Sequence, residues 1–232
     1  MTTPTLSPVN SPVSLEKIAY DAIKEAILTF RFKPGENLVE NDLARQLSIS
    51  KTPVRDALSR LEKEGFIVKI PYKGYYITDI SRQSVIDIFE IRAALEGLAV
   101  RLATPLLDKD DIQQAQELIA HHQTAAEADN ITDASRLNRD FHDLLIGRAG
   151  NERLSQILSN LEDHLQRYRT LSNFQEGRLT KSVDEHAEIL DAIIHQQAEQ
   201  AEQAIRAHIL SVSEDLAAQN FDELVERIRQ QG

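Results

Sequence analysis

The chain has no cysteine and no tryptophan, one methionine and only eight glycines in 232 residues, and 5% of it is aromatic. Without cysteine there is no disulfide framework and no thiolate metal site, and the composition suits a reducing compartment. Sparse glycine and aromatics beside 41% hydrophobic residues argue for a mainly helical chain with a real core. No apolar run approaches the ~20 residues needed to cross a bilayer, and residues 1–14 lack the apolar region of a signal peptide. A cytoplasmic protein without a membrane partner is therefore expected. Nucleotide and hydrolase signatures are also missing: no GxGxxG, GKS/T, GxSxG, HExxH or CxxC occurs.

Basic residues are in deficit, with 26 Lys+Arg against 37 Asp+Glu and a net charge of −11. The deficit is uneven. Residues 1–80 carry 11 Lys+Arg and 10 Asp+Glu, and the remainder carries 15 and 27. The acidity belongs to the second part of the chain, which leaves the first part free to meet nucleic acid. The length fits two domains.

One stretch organises the first part: SISKTPVRDALSRLEKEGF, residues 48–66. Read as a helix opening at Lys51, it gathers Val54, Ala57, Leu58 and Leu61 within about 100° of arc. Lys51, Thr52, Arg55 and Ser59 fall on the opposite side. Ser50 is placed to cap the helix, Pro53 is tolerated in its first turn, and Gly65 ends it. A helix that reads a major groove needs this arrangement, although a generic surface helix would also carry Lys and Arg.

The flanking segments favour the first reading. Residues 1–14 form a polar, Pro-rich leader with the composition of a disordered segment. An amphipathic helix is expected over 15–32, a turn at KPGENL, and a brief helix over 40–47. FIVKIPYKGYYITDI reads as a two-stranded hairpin with Lys73 near its tip. Helix, helix, helix and hairpin make a winged helix-turn-helix over residues 15–78.

PGENL, the spacing to DLARQLSISKTPVRDALSRLEKEGFI and the aromatic hairpin resemble the DNA-binding domain of GntR-family bacterial transcription regulators. The resemblance implies that Lys51, Thr52 and Arg55 lie at the groove with Ser59 on the same face, and that Asn41 and Lys73 contact the backbone or serve the wing. Three positions depart from the family pattern. Lys51 replaces the usual Arg, Val39 stands where a capping residue is common, and Ser48 replaces a turn Gly.

From residue 82 the pattern is helical, with helices expected near 82–104, 108–128, 131–148, 151–172, 177–196 and 199–218. This all-helical domain spans 82–220, and a short amphipathic tail follows over 221–232. In the first of these helices Arg92 and Glu96 interrupt an arc of Val85, Ile88, Phe89, Ala99 and Ala103. Such a pair is either a structural ion pair at a domain or subunit contact, or a sign that Arg92 recognises an anionic ligand.

Three helices turn a histidine inward: His142, His186 and His208. Asn138 sits one turn from His142. Neutral imidazoles converging in a helical core suit a divalent ion. For a lone histidine the core reading is the simpler one, and His122, also on an apolar face, illustrates it. His195 points away.

EIRAALEG, NRDFHDLL, DEHAEILDAI and AIRAHI resemble the effector-binding FCD domain of the FadR-type subgroup, in its shorter six-helix form. By that resemblance Asn138, His142, His186 and His208 would hold a divalent ion such as zinc, nickel or manganese. Open coordination positions and uncompensated charge would attract a small carboxylate effector. The expected protein is mainly α, a dimeric and ligand-responsive regulator (a repressor), whose subunits each bind one half of an inverted-repeat DNA operator. Two rivals stay open. One is a metal-dependent hydrolase using three histidines, although Glu185 and Glu188 fall off the helical face of His186. The other is an interaction protein whose histidines are core residues.

Overall fold

Ser14 starts the first helix by accepting a hydrogen bond from the Lys17 backbone N–H at 3.1 Å. In the computed structural model, which describes residues 14–172, 178–218, 223 and 226, the chain forms two compact units divided between Asp79 and Ile80. The first unit contains α1 (Leu15–Leu28), β1 (Asn37–Leu38), α2 (Glu40–Gln46), α3 (Lys51–Lys63), β2 (Ile67–Ile70) and β3 (Gly74–Ile77). The second contains α4 (Arg82–Ala103), α5 (Lys109–Glu127), α6 (Ile131–Arg148), α7 (Glu152–Ser172), α8 (Arg178–Ile194) and α9 (Ala198–Ala218). The fold is a winged helix-turn-helix followed by an all-helical bundle. Most of the leader and most of the tail expected at 221–232 lie outside the described residues.

The first unit closes on the apolar stripe of α3. Val54, Ala57, Leu58 and Leu61 are fully buried and pack with Ala19, Ile23 and Ile27 of α1. Each large side chain so buried contributes about 1.5–3 kcal/mol relative to exposure. Gly65 ends the helix at φ +82°, and Ser48, in the turn before it, also adopts positive φ, +55°. A left-handed backbone at a non-glycine residue costs about 1–2 kcal/mol.

Three local expectations change, and the departure at Val39 takes the form its side chain predicts. Helix α1 stops at Leu28 rather than residue 32, because Phe30 takes φ +56°. KPGENL is more than a turn: Asn37 and Leu38 form a strand pairing antiparallel with β3, giving sheet order β1-β3-β2. Val39 caps α2 without a side-chain hydrogen bond, as its side chain dictates. Ser50 occupies the N-cap position of α3 with extended backbone, yet its hydroxyl makes no capping bond.

In the second unit α4 runs along α9, and Gly97 permits the approach. A Cβ there would come within 2.8 Å of Arg206 Cγ and 3.2 Å of Glu202 Cγ. Capping boxes start α4 (Ser81 with Ser84) and α5 (Asp108 with Asp111). Arg148 of α6 then donates from Nε to Asp111 at 2.8 Å, tying the end of α6 to the start of α5.

Candidate functional site

Residues one turn apart on one helix share a face, and the second unit turns several such pairs toward one place. Arg92 and Glu96 come from α4, Asn138 and His142 from α6, Ser182 and His186 from α8, and His208 from α9. His142, His186 and His208 are buried, and one ring nitrogen from each lies within 4.8 Å of the others. Asn138 is half-buried and lines a cavity of about 40 Å³ together with Arg92, His122, Arg178 and His208.

Carboxylates fix two of the three imidazoles. Glu96 Oε2 lies 2.5 Å from His142 Nδ1, and Glu185 Oε2 lies 2.7 Å from His208 Nδ1. A carboxylate accepts, so these contacts assign the proton to Nδ1 in each ring and leave Nε2 as a bare donor atom. His142 Nε2 is buried without a partner. His186 is held differently. Its ring stacks on Phe141 with centroids 4.3 Å apart and a 20° tilt, and neither of its nitrogens has a partner. Buried polar atoms are seldom left unsatisfied, and orphaned imidazole nitrogens turned toward one another fit a cation.

The charges around the trio balance. Arg92 donates to Glu96 at 2.5 Å, and Arg178 donates to Glu185 and to Asp215, which also meets Lys181. Three cations thus face three carboxylates. Burial alone would raise the Glu96 pKa, but Arg92 and His142 outweigh it and hold the group ionised well below the usual carboxylate range. Burial opposes ionisation of Glu185 as well, and His208 and Arg178 bring it down to about 2. Burial pushes the His208 imidazole down to about 4 against the pull of Glu185, and His186 well below its ordinary value. The His186 and His208 imidazoles are therefore neutral at pH 7.

Of the two expectations for the Arg92–Glu96 pair, the domain or subunit contact does not fit, because both side chains are buried. The pair lies inside the bundle, where Glu96 orients His142. Glu185 does fall off the face of His186, and for that reason it reaches α9 instead and orients His208. Both carboxylates are committed to histidine and arginine, so neither is available as the general base of a hydrolase.

Sequence reasoning passed over two groups. Arg178 is buried, with hydrogen bonds to Ser182, Ser211, Asp215 and Glu185. Its position at the start of α8 gave no periodic signal. His122 is 1% exposed, has both nitrogens unpartnered, and lies 5.6 Å from His186 between ring centroids. It was set aside because its own helix says nothing of what lies opposite.

On the first unit, Lys51, Thr52 and Arg55 of α3 are exposed and Ser59 is half-buried. Arg55 Nη2 donates to Glu40 Oε2 of α2 at 2.9 Å, which places α2, with its exposed Asn41, beside the exposed face of α3. Lys73 is exposed in the β2–β3 turn, next to a fully exposed Tyr72.

Residues 15–77 match the gntR family of bacterial regulatory proteins, and residues 87–211 match the FCD domain. An uncharacterised transcriptional regulator of Bacillus subtilis, YdhC, is 30% identical over 82% of this chain and 85% of its own length. The Nta operon transcriptional regulator of Aminobacter aminovorans is 29% identical over 87% and 90%. The Escherichia coli transcriptional repressor RspR is 25% identical over 90% and 89%. In fold, the chain resembles E. coli McbR/YncC with a TM-score of 0.67 at 24% identity, covering 93% of this chain and 99% of that one. These relatives are transcriptional regulators and not enzymes, which removes the support for a hydrolase. The chain belongs to the gntR family of bacterial DNA-binding transcriptional regulators and carries an FCD domain.

Proposed function

We propose that the protein is a cytoplasmic, homodimeric repressor whose helical domain holds a divalent ion and answers to a small carboxylate. The observation that carries this reading is the arrangement of His142 and His208. Each gives Nδ1 to a carboxylate and keeps Nε2 for the interior, and His186 leaves both of its nitrogens unpartnered beside them. A core made only for stability would not gather three imidazoles and leave His142 Nε2 and both His186 nitrogens without partners.

In this reading His142, His186, His208 and Asn138 are the ligands; the three imidazoles suit zinc or nickel, and the Asn138 carbonyl oxygen is the ligand type that would suit manganese. A bound ion would supply positive charge and open positions for an anionic ligand. Because the surrounding arginines, lysine and carboxylates cancel, that charge would be unmet until a carboxylate arrives. Arg92 is the arginine suited to help. Its Nη1 makes no hydrogen bond among the described residues, whereas Arg178 uses its guanidinium on four neighbours.

DNA binding would rest on Lys51, Thr52, Arg55 and Ser59 of α3, with Asn41 and Lys73 at the flanks. A symmetric dimer would read an inverted repeat, one half-site per subunit. Relatives named as repressors, RspR and GlaR of E. coli, support the sign of regulation. An effector can shift DNA affinity only by the difference in its affinity for the two conformations.

The test selects bound sites from random DNA and then follows binding by fluorescence anisotropy with metal-loaded and chelator-treated protein. An inverted repeat, released by a carboxylate only from the metal-loaded protein, is the expected result. Release that is indifferent to metal removal would contradict the proposal.

A further inference from the structure

The cavity beside the three histidines is lined by several polar side chains, and most are already engaged. Arg178 donates to Ser182, Ser211, Asp215 and Glu185. Ser182 Oγ accepts from both Nε and Nη2 of Arg178. The Ser135 hydroxyl donates to the Ile131 carbonyl at 2.7 Å. His208 is fixed by Glu185. Beyond Asn138 and Arg92, whose roles are proposed above, one lining group keeps its full hydrogen-bonding capacity: His122.

His122 is 1% exposed, so water outside the protein does not satisfy it. It is also not a fourth member of the histidine cluster. The nitrogens within 4.8 Å of one another are those of His142, His186 and His208. The His122 ring stands beside them, 5.6 Å from His186 and tilted by 46°. A neutral imidazole offers one N–H and one bare nitrogen, and leaving both unmet in a buried place costs stability. A leucine or phenylalanine would fill the same space without that cost.

We infer that His122 is the residue that selects the effector, by hydrogen-bonding a hydroxyl or carbonyl group that the ligand carries beside its carboxylate. The inference rests on the proposed metal and carboxylate reading and names the ligand class for it: a short polar carboxylate rather than a plain alkyl one. A hydroxyl complements either nitrogen, since it both donates and accepts. The size of the cavity agrees. It is a small space, about 40 Å³, which favours a short ligand over a long one.

Matched acids separate the possibilities. Acetate and glycolate, and propionate and lactate, differ within each pair by one hydroxyl. Calorimetric titration of the zinc-loaded full chain should favour the hydroxylated member of each pair by about tenfold. Part of that preference could come from chelation, so the decisive quantity is its change in variants. His122→Phe should shrink it at least fivefold with zinc content unchanged, and His122→Gln, which keeps a donor and an acceptor, should retain part of it. If His122→Phe does not fold, the wild type still decides: the His122 ring ¹⁵N resonances should move with lactate and stay in place with propionate. An undiminished preference in His122→Phe, loss of zinc from it, or equal ring shifts with both acids would overturn the inference alone. Failure of all four acids to bind the zinc-loaded wild type would overturn the underlying reading with it.

Discussion

Glu185 accepts a hydrogen bond from His208 Nδ1 at 2.7 Å, and the same carboxylate oxygen meets the Arg178 guanidinium. One group from α8 thereby sets the tautomer of a histidine on α9 and answers a buried positive charge. Replacing it with an amide keeps the shape and removes the charge. Glu185→Gln is expected to weaken metal binding by about 10- to 100-fold, the usual scale for a partner that orients a ligand. Competition against a chromogenic chelator measures this, and unchanged affinity would mean that Glu185 serves only Arg178.

Acid should destabilise the metal-free chain early. Burial lowers the imidazoles of His122 and His208 from about 6.5 to about 4 in the folded state. Between those values the unfolded chain binds more protons than the folded one, so stability rises with pH through the window and is lost as pH falls from about 6.5 toward 4. Each such histidine contributes about 1.4 kcal/mol per pH unit there. Thermal unfolding of chelator-treated protein at several pH values should show this slope, and His122→Phe should make it shallower. A melting temperature that is flat across the window would contradict the burial of neutral imidazoles.

Arg55 is exposed and paired with Glu40 in the free chain, so it stands ready to exchange that carboxylate for a base edge or a phosphate. Arg55→Ala is expected to weaken specific DNA binding by roughly tenfold to a hundredfold while the fold is kept. Lys51→Arg should hold or tighten binding, because a planar fork replaces a point charge. Anisotropy on a selected operator reads both, and wild-type affinity in a folded Arg55→Ala would remove α3 from the groove.

The elements that were legible in the sequence are those in which one helix decides its own pattern. The α3 stripe, the six helices of the second unit and the inward sides of His142, His186 and His208 follow from a 3.6-residue period alone. What depends on a neighbour was hidden. Glu185 lies off the His186 face and gains its role only because α9 passes on that side. Arg92 and Glu96 read either as a contact with another body or as a ligand site, and the part Glu96 plays in holding His142 depends on α6. His122 looked like ordinary core for the same reason. Strand β1, two residues long, is too short to show alternation, and it exists because β3 offers it an edge.

Asn138 turns the charge argument into a choice of outcomes. Asn138→Asp adds a negative charge at nearly the same volume. If Asn138 is a ligand, the ion should bind more tightly, by something like tenfold or about 1.4 kcal/mol, and a carboxylate effector should bind more weakly. Sequential titration of metal and then lactate into both proteins at one pH compares the two constants. Movement of both in the same direction, or of neither, would contradict the proposed cooperation of ion and effector.

The most direct test of the account is the metal content of four single variants after equilibrium dialysis against buffered zinc. His142→Ala, His186→Ala and His208→Ala should each lose the ion and melt at lower temperature. His195→Ala, whose exposed ring meets Asp191 near the end of α8, should retain both metal and stability. Equal zinc in all four variants and in the wild type would mean that the three buried imidazoles do not form a metal site.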